Sequence, residues 1–227
     1  MNNLKAPVRK LLKSELVWLG ENMCRHGHTY LEHYSCFLSE KPSTSPMAEK
    51  IGVFDIETTG LKANYSHMLS WCMKEHNADT IHEDLITKRE VRDKDDRRII
   101  KSAVKEIQKY DRIVTFYGMR FDVPYVRTRA LRHKLDFPRY RDLYHTDVYF
   151  LCRSKFALHS NRLASVCQFF GIEAKNHPMT PDLWESAGAG HQESLDVVLT
   201  HCQEDVCATD EVFNMLLDHM MISKRSI

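Results

Sequence analysis

No apolar run in the 227-residue chain approaches the ~20 residues needed to cross a bilayer as a helix. The opening stretch, MNNLKAPVRKLLKSEL, lacks the apolar centre of a secretory signal. Charge of one sign is not in excess: 32 Lys plus Arg face 31 Asp plus Glu, so any attraction to a polyanion must come from local basic clusters. Internal repeats are absent. A disulfide framework is not written here either, because the 7 Cys are scattered and odd in number. These absences point to reduced thiols in a cytosol-like compartment. With 43% hydrophobic and 28% charged residues, the composition excludes disorder, collagen and coiled coil as the main theme.

What is present divides at about Lys50. Residues 1–49 open with a helical spacing over residues 8 to 23 (Leu12, Leu16, Leu19, Met23). The Cys/His-dense run Cys24 to Cys36 follows, read as a loop, and then the linker SEKPSTSPMAEK. Residues 50–227 begin with the buried strand IGVFDIE, with HMLSWCMKE and DTIHEDLIT as antiparallel neighbours. Next come an amphipathic helix in KDDRRIIKSAVKEIQKY, the strand DRIVTFYG and a helix from DVPYV. YHTDVYFLC reads as a strand-to-helix passage and SNRLASVCQFFGI as a helix with an Asn or Ser cap and a Gly stop. A loop through Pro178, Pro181 and AGAG leads to a long closing helix from SLDVV. This order predicts an α/β domain with a mixed sheet flanked by helices.

Alternation along the first strand puts Asp55 and Glu57 on one face with Val53, and Phe54 and Ile56 on the other. Two neighbouring carboxylates at a buried strand end repel unless a cation compensates, and hard oxygen ligands suit Mg²⁺ or Mn²⁺. Asp122 falls at a strand-to-helix junction, where α/β sites open. His201 and Asp205 are four residues apart, hence stacked on one helix face. Taken singly, these residues would equally suit a solvated strand end, a helix cap and a surface pair.

Together, DIETTG, FYGMRFDVPYV and HCQEDV, in this order and spacing, resemble the three motifs of DnaQ-like (DEDD) 3′→5′ exonucleases of the ribonuclease H fold. The middle motif is similar to family B DNA polymerase proofreading domains and to predicted ribonuclease-H-like exonucleases. The resemblance covers about residues 51 to 220 and implies a ribonuclease H-like fold. It also implies two Mg²⁺ or Mn²⁺ ions held by Asp55, Glu57, Asp122 and Asp205. Asp55 would bridge them, Glu57 and Asp205 would complete one site, and Asp122 would hold the other. Main-chain groups of Thr58 and Thr59 and the side chain of Leu61 would seat the terminal nucleotide, with Phe121 nearby. Two departures stand out. The family carries Tyr four residues before the last Asp, or His five before; here His201 is four before and Thr200 five before. Imidazole is a better base than a phenol at neutral pH, so His201 is the expected acceptor of the water proton. In the middle motif, Tyr117 precedes Gly118 where relatives often carry Asn.

Arg120, Arg127, Arg129, Arg132, His133, Lys134, Arg139 and Arg141 would neutralise phosphates, giving salt-sensitive binding; for any one of them a solvated face is the simpler role. Cys24, His28, His33 and Cys36 are the expected tetrahedral Zn²⁺ set, with His26 competing with His28 for one position. The five remaining Cys (72, 152, 167, 202, 207) and Trp18, Trp71 and Trp184 read as packing residues.

The leading expectation is therefore a metal-dependent 3′→5′ exonuclease on DNA, with RNA as the second candidate substrate, and with a polymerase or another replication or repair protein as candidate partner. A ribonuclease or structure-specific endonuclease on the same fold is the nearest alternative. A non-catalytic nucleic-acid-binding or interaction module is the rival from another class.

Overall fold

The structure, a computed structural model, describes residues 13–40, 42, 45, 49–173, 179–220 and 226–227. Two compact units are present, residues 1–49 and 50–227.

In the first unit the periodic apolar residues form α1 (Lys13–Glu21), and α2 (Tyr34–Glu40) follows. Leu12 and half of the expected linker lie outside the described residues. Leu19, Tyr30 and Phe37 form a small core with Cys24 and Cys36, and Trp18 stacks on Tyr30 at 5.6 Å between ring centres. The Cys/His run is not wholly a loop, since its last cysteine is carried by α2.

The second unit is built on five strands: β1 (Ile51–Thr58), β2 (Met68–Glu75), β3 (Ile81–Leu85), β4 (Arg112–Thr115) and β5 (Tyr144–Asp147). Their order across the sheet is β3-β2-β1-β4-β5, with β1–β2 and β2–β3 antiparallel and β1–β4 and β4–β5 parallel. The mixed sheet expected from the element order is thus observed. One detail differs: β3 neighbours β2, not β1, because a short turn from β2 leads naturally into a hairpin.

Helices α3 (Lys88–Asp93), α4 (Arg97–Ile107), α5 (Asp122–Arg132), α6 (Val148–Lys155), α7 (Leu163–Phe170), α8 (Pro181–Gly188) and α9 (Gln192–Leu217) complete the unit. The alternation of β1 separates two cores. Phe54 and Ile56 pack with Ile99, Ile100, Val123 and Val126 of α4 and α5 on one side. Val53 packs with Cys202, Val206 and Phe213 of α9 on the other. Asp55 and Glu57 therefore project toward α9.

Three local expectations are corrected. The segment at Pro181 is a helix, because Thr180 accepts from the Leu183 N–H and Pro181 occupies the first turn, where its missing N–H costs nothing. The cap of α7 is Arg162 rather than Asn or Ser, although Ser160 accepts its N–H at 3.3 Å. A separate helix, α3, precedes α4; its Thr87 and Glu90 form a reciprocal cap that ends the preceding strand cleanly. Among the described residues no helix is long and apolar enough to cross a membrane.

Candidate active site

Strand β1 runs through the middle of the sheet and carries the first two acids to its C-terminal end. The β1–β2 register slips between Glu57 and Thr58, a local irregularity that re-aims side chains at the strand end. Helix α9 lies across this face. It brings His201 Nε2 to 3.7 Å from Glu57 Oε1. The i, i+4 spacing then adds Asp205, and one ligand atom from each of Glu57, His201 and Asp205 lies within 4.8 Å of the others.

The other two acids flank this trio. Asp55 contacts the Cys202 thiol, whose Sγ lies 3.4 Å from Asp55 Oδ2. Burial raises the Cys202 pKa well above its usual value, and Cys72 and the charges of Asp55 and Glu57 raise it further. That thiol is a neutral donor to the carboxylate, not a nucleophile. Asp122 is the first residue of α5, buried, and accepts the Ile56 N–H at 3.1 Å. Burial, reinforced by the charges of Asp147 and Asp205, pushes its pKa up to about 7.

Asp147 is a residue the motifs did not single out. It is buried at the end of β5 and accepts from the N–H groups of Tyr117 at 3.0 Å, Met119 at 2.9 Å and Tyr149 at 3.1 Å. Burial raises its pKa as well, against these donors. Its contacts fix the turn between β4 and Asp122. In that turn Tyr117 has φ +66°, a conformation that Asn tolerates far better than an aromatic residue. Tyr117 is held against the edge of Tyr149, with ring centres 4.9 Å apart. Gly118 is required for a different reason: a methyl group on it would fall on the Thr115 side chain.

The expected substrate residues are distributed unevenly. Leu61 is 79% exposed beyond β1, Arg120 is exposed, and Phe121 is half-buried against Tyr125. Thr58 is buried with its hydroxyl on the Gly60 carbonyl. The Thr59 N–H is engaged by the His67 carbonyl at 3.0 Å. Arg129 and His133 are corrected. Both turn inward to the fully buried Asp96, Arg129 Nε at 2.8 Å and His133 Nε2 at 2.6 Å, because a buried carboxylate needs compensation. Arg127 lies over the Phe137 ring at 5.3 Å and Arg141 over Tyr140 at 5.7 Å.

The donor set tests well for a divalent cation. It combines hard carboxylate oxygens with one imidazole, and burial, reinforced by the charges of Asp147 and Asp205, drives Asp122 toward the protonated form. A cation placed among them would relieve both effects. In the first unit, Cys24, His26, His33 and Cys36 bring their ligand atoms together; His28, expected in the set, is outside it and His26 takes its place.

Residues 53–217 match the sequence model of the RNase H superfamily. Among solved structures, the fold is similar to that of the family B DNA polymerase from the hyperthermophilic archaeon Pyrobaculum calidifontis, with a TM-score of 0.61 at 17% identity. The match covers 78% of this chain and 25% of the polymerase chain, so this chain corresponds to about a quarter of that protein. No curated protein matches the chain.

Proposed function

This chain belongs to the RNase H superfamily, a nuclease-type fold, and from that premise we propose that it is a metal-dependent 3′→5′ exonuclease acting on DNA. The observation that carries the reading is the convergence of Glu57 from β1 with His201 and Asp205 from α9, flanked by Asp55 and Asp122. Four acids from three elements that are distant in sequence meet at one sheet end, as the motif resemblance requires. A merely structural use of the fold would not need these carboxyl groups side by side.

In this reading Asp55, Glu57, Asp122 and Asp205 would hold two Mg²⁺ or Mn²⁺ ions. Bound there, such ions would polarise the scissile phosphate and lower the pKa of the attacking water. The chain's own residues do the rest. His201 would accept the proton of the attacking water through a ring nitrogen, its Nε2 facing the Glu57 carboxylate. Leu61 and Phe121 seat the terminal base, and Arg120 meets a phosphate. Asp147 keeps the Tyr117–Asp122 turn in register with β1. Likeness to part of a DNA polymerase supports DNA as the substrate and a polymerase, or another replication or repair protein, as partner.

A second role for His201 is favoured by the 4.8 Å cluster: the imidazole is within ligand reach of the same cation as Glu57 and Asp205. The reading as a whole is tested by metal dependence. Hydrolysis of short single-stranded DNA should vanish in EDTA and return with Mg²⁺ or Mn²⁺. Persistence of hydrolysis in EDTA, or its absence with both metals, contradicts the proposal.

A further inference from the structure

We propose that the first unit is a closed structural zinc site whose ligands are Cys24, His26, His33 and Cys36. The proposal is independent of the nuclease reading, since all four residues lie in residues 1–49.

The geometry carries it. With Zn–S of about 2.3 Å and Zn–N of about 2.1 Å, a tetrahedral site sets each S···N edge at roughly 3.6 Å. The four such edges here are Cys36 Sγ to His26 Nδ1 at 3.3 Å and to His33 Nδ1 at 3.4 Å, and Cys24 Sγ to His33 Nδ1 at 3.8 Å and to His26 Nδ1 at 3.9 Å. They scatter about the tetrahedral value, and both imidazoles present the same nitrogen to both sulfurs. Two thiolates and two imidazoles select Zn²⁺ over the hard cations that suit the carboxylate site. Four protein ligands leave no open position, so the role is structural.

The backbone prepares each pair locally. Cys24 and His26 sit on a tight turn in which Cys24 donates to the His28 carbonyl at 2.8 Å and Gly27 donates to the Cys24 carbonyl at 2.9 Å. That turn needs the left-handed Gly27, φ +79°. His33 and Cys36 sit on one turn at the start of α2, where the Cys36 N–H meets the His33 carbonyl at 2.9 Å. The His28 carbonyl closes the turn, and its ring lies outside the ligand group, edge-on against His33 at 5.4 Å. The core beside the site is thin: Leu19, Tyr30 and Phe37 with the two cysteines themselves. A unit of this size lacks the apolar burial to hold itself and takes a staple.

The test uses the full chain, made with added zinc and purified without chelators. Elemental analysis and competition with a chromophoric chelator measure stoichiometry and affinity. Co²⁺ substitution reports thiolate ligation by its charge-transfer band. The expected result is one tightly held Zn²⁺ with thiolate bonds to cobalt. Removing a direct ligand should cost at least as much as removing its outer partners, so His26→Ala should weaken binding by about 100-fold or more. His28→Ala should leave it nearly unchanged. Both histidines are exposed, so neither variant threatens folding through packing. A fully reduced chain that binds no zinc, a cobalt spectrum without thiolate bands, or a His28→Ala loss equal to that of His26→Ala overturns the proposal.

Discussion

His201 Nε2 lies 3.7 Å from Glu57 Oε1, a contact between the last helix and the first strand that sequence places 144 residues apart. Base and ligand roles for this imidazole predict different losses. As the base, His201→Ala should lower kcat by about 10²–10⁴-fold with metal affinity unchanged. As a ligand, the same variant should weaken Mn²⁺ binding by direct titration. His201→Tyr restores the side chain of tyrosine-type relatives and should recover part of the Ala loss.

Asp122 supplies a stability prediction with a definite sign. Its folded pKa, about 7, stands above the ordinary carboxylate value, mainly through burial. The folded state therefore holds a proton that the unfolded chain gives up near pH 4, and metal-free stability falls as pH rises from there through 7. Asp122→Asn removes that loss and should stabilise the metal-free protein at pH 8 by on the order of 2 kcal/mol. Denaturant melts in EDTA at pH 5 and pH 8 measure it; an equal effect of Asp122→Asn at both pH values contradicts the assignment.

Asp96 behaves in the opposite sense. Burial alone would raise its pKa, but hydrogen bonds from Arg129 and His133 and from the Met68 N–H hold it below the usual range. Its contribution is present above the unfolded carboxylate pKa and is lost as pH falls through the lower folded value. Arg129→Ala removes the guanidinium from a buried carboxylate, leaving it only His133 and the Met68 N–H, and should cost about 3–5 kcal/mol. It should not alter the salt dependence of DNA binding, whereas Arg120→Ala should reduce that slope by about 1. Thermal melts and binding isotherms at several salt concentrations separate the two arginines.

Asp147 is a positioning residue. Asp147→Ala strips the acceptor from the Tyr117 and Met119 N–H groups and should lower kcat by up to about 10²-fold through misplacement of Asp122. Asp147→Asn keeps one acceptor oxygen and should recover part of that loss, an outcome that simple unfolding would not give. Steady-state kinetics beside circular dichroism check it.

The strands and the long helix were legible because their apolar patterns are long and uninterrupted, as in IGVFDIET and around Val198, Cys202 and Val206. The acids were legible because strand alternation and i, i+4 spacing are local rules. Helix α8 was not, since Ala-Gly-Ala-Gly at its end reads as flexible although Thr180 and Pro181 mark its start. The inward turn of Arg129 depends on Asp96, 33 residues away, and no local pattern in a basic helix tells which cation has a buried partner. That the ring of His26 rather than His28 faces the two sulfurs depends on the local path of the turn, which residue type does not show.

The central claim, hydrolysis from a 3′ end by the acids on β1, α5 and α9, is tested most directly by product analysis on 5′-labelled single-stranded DNA with Mn²⁺. The wild-type chain and its Asp205→Asn variant, matched for folding by circular dichroism, are compared. The account predicts a ladder that shortens one nucleotide at a time from the 3′ end for the wild type, and intact substrate for the variant. Release of the label as a mononucleotide, cleavage only at internal positions, or an undiminished ladder from a well-folded Asp205→Asn chain would contradict it.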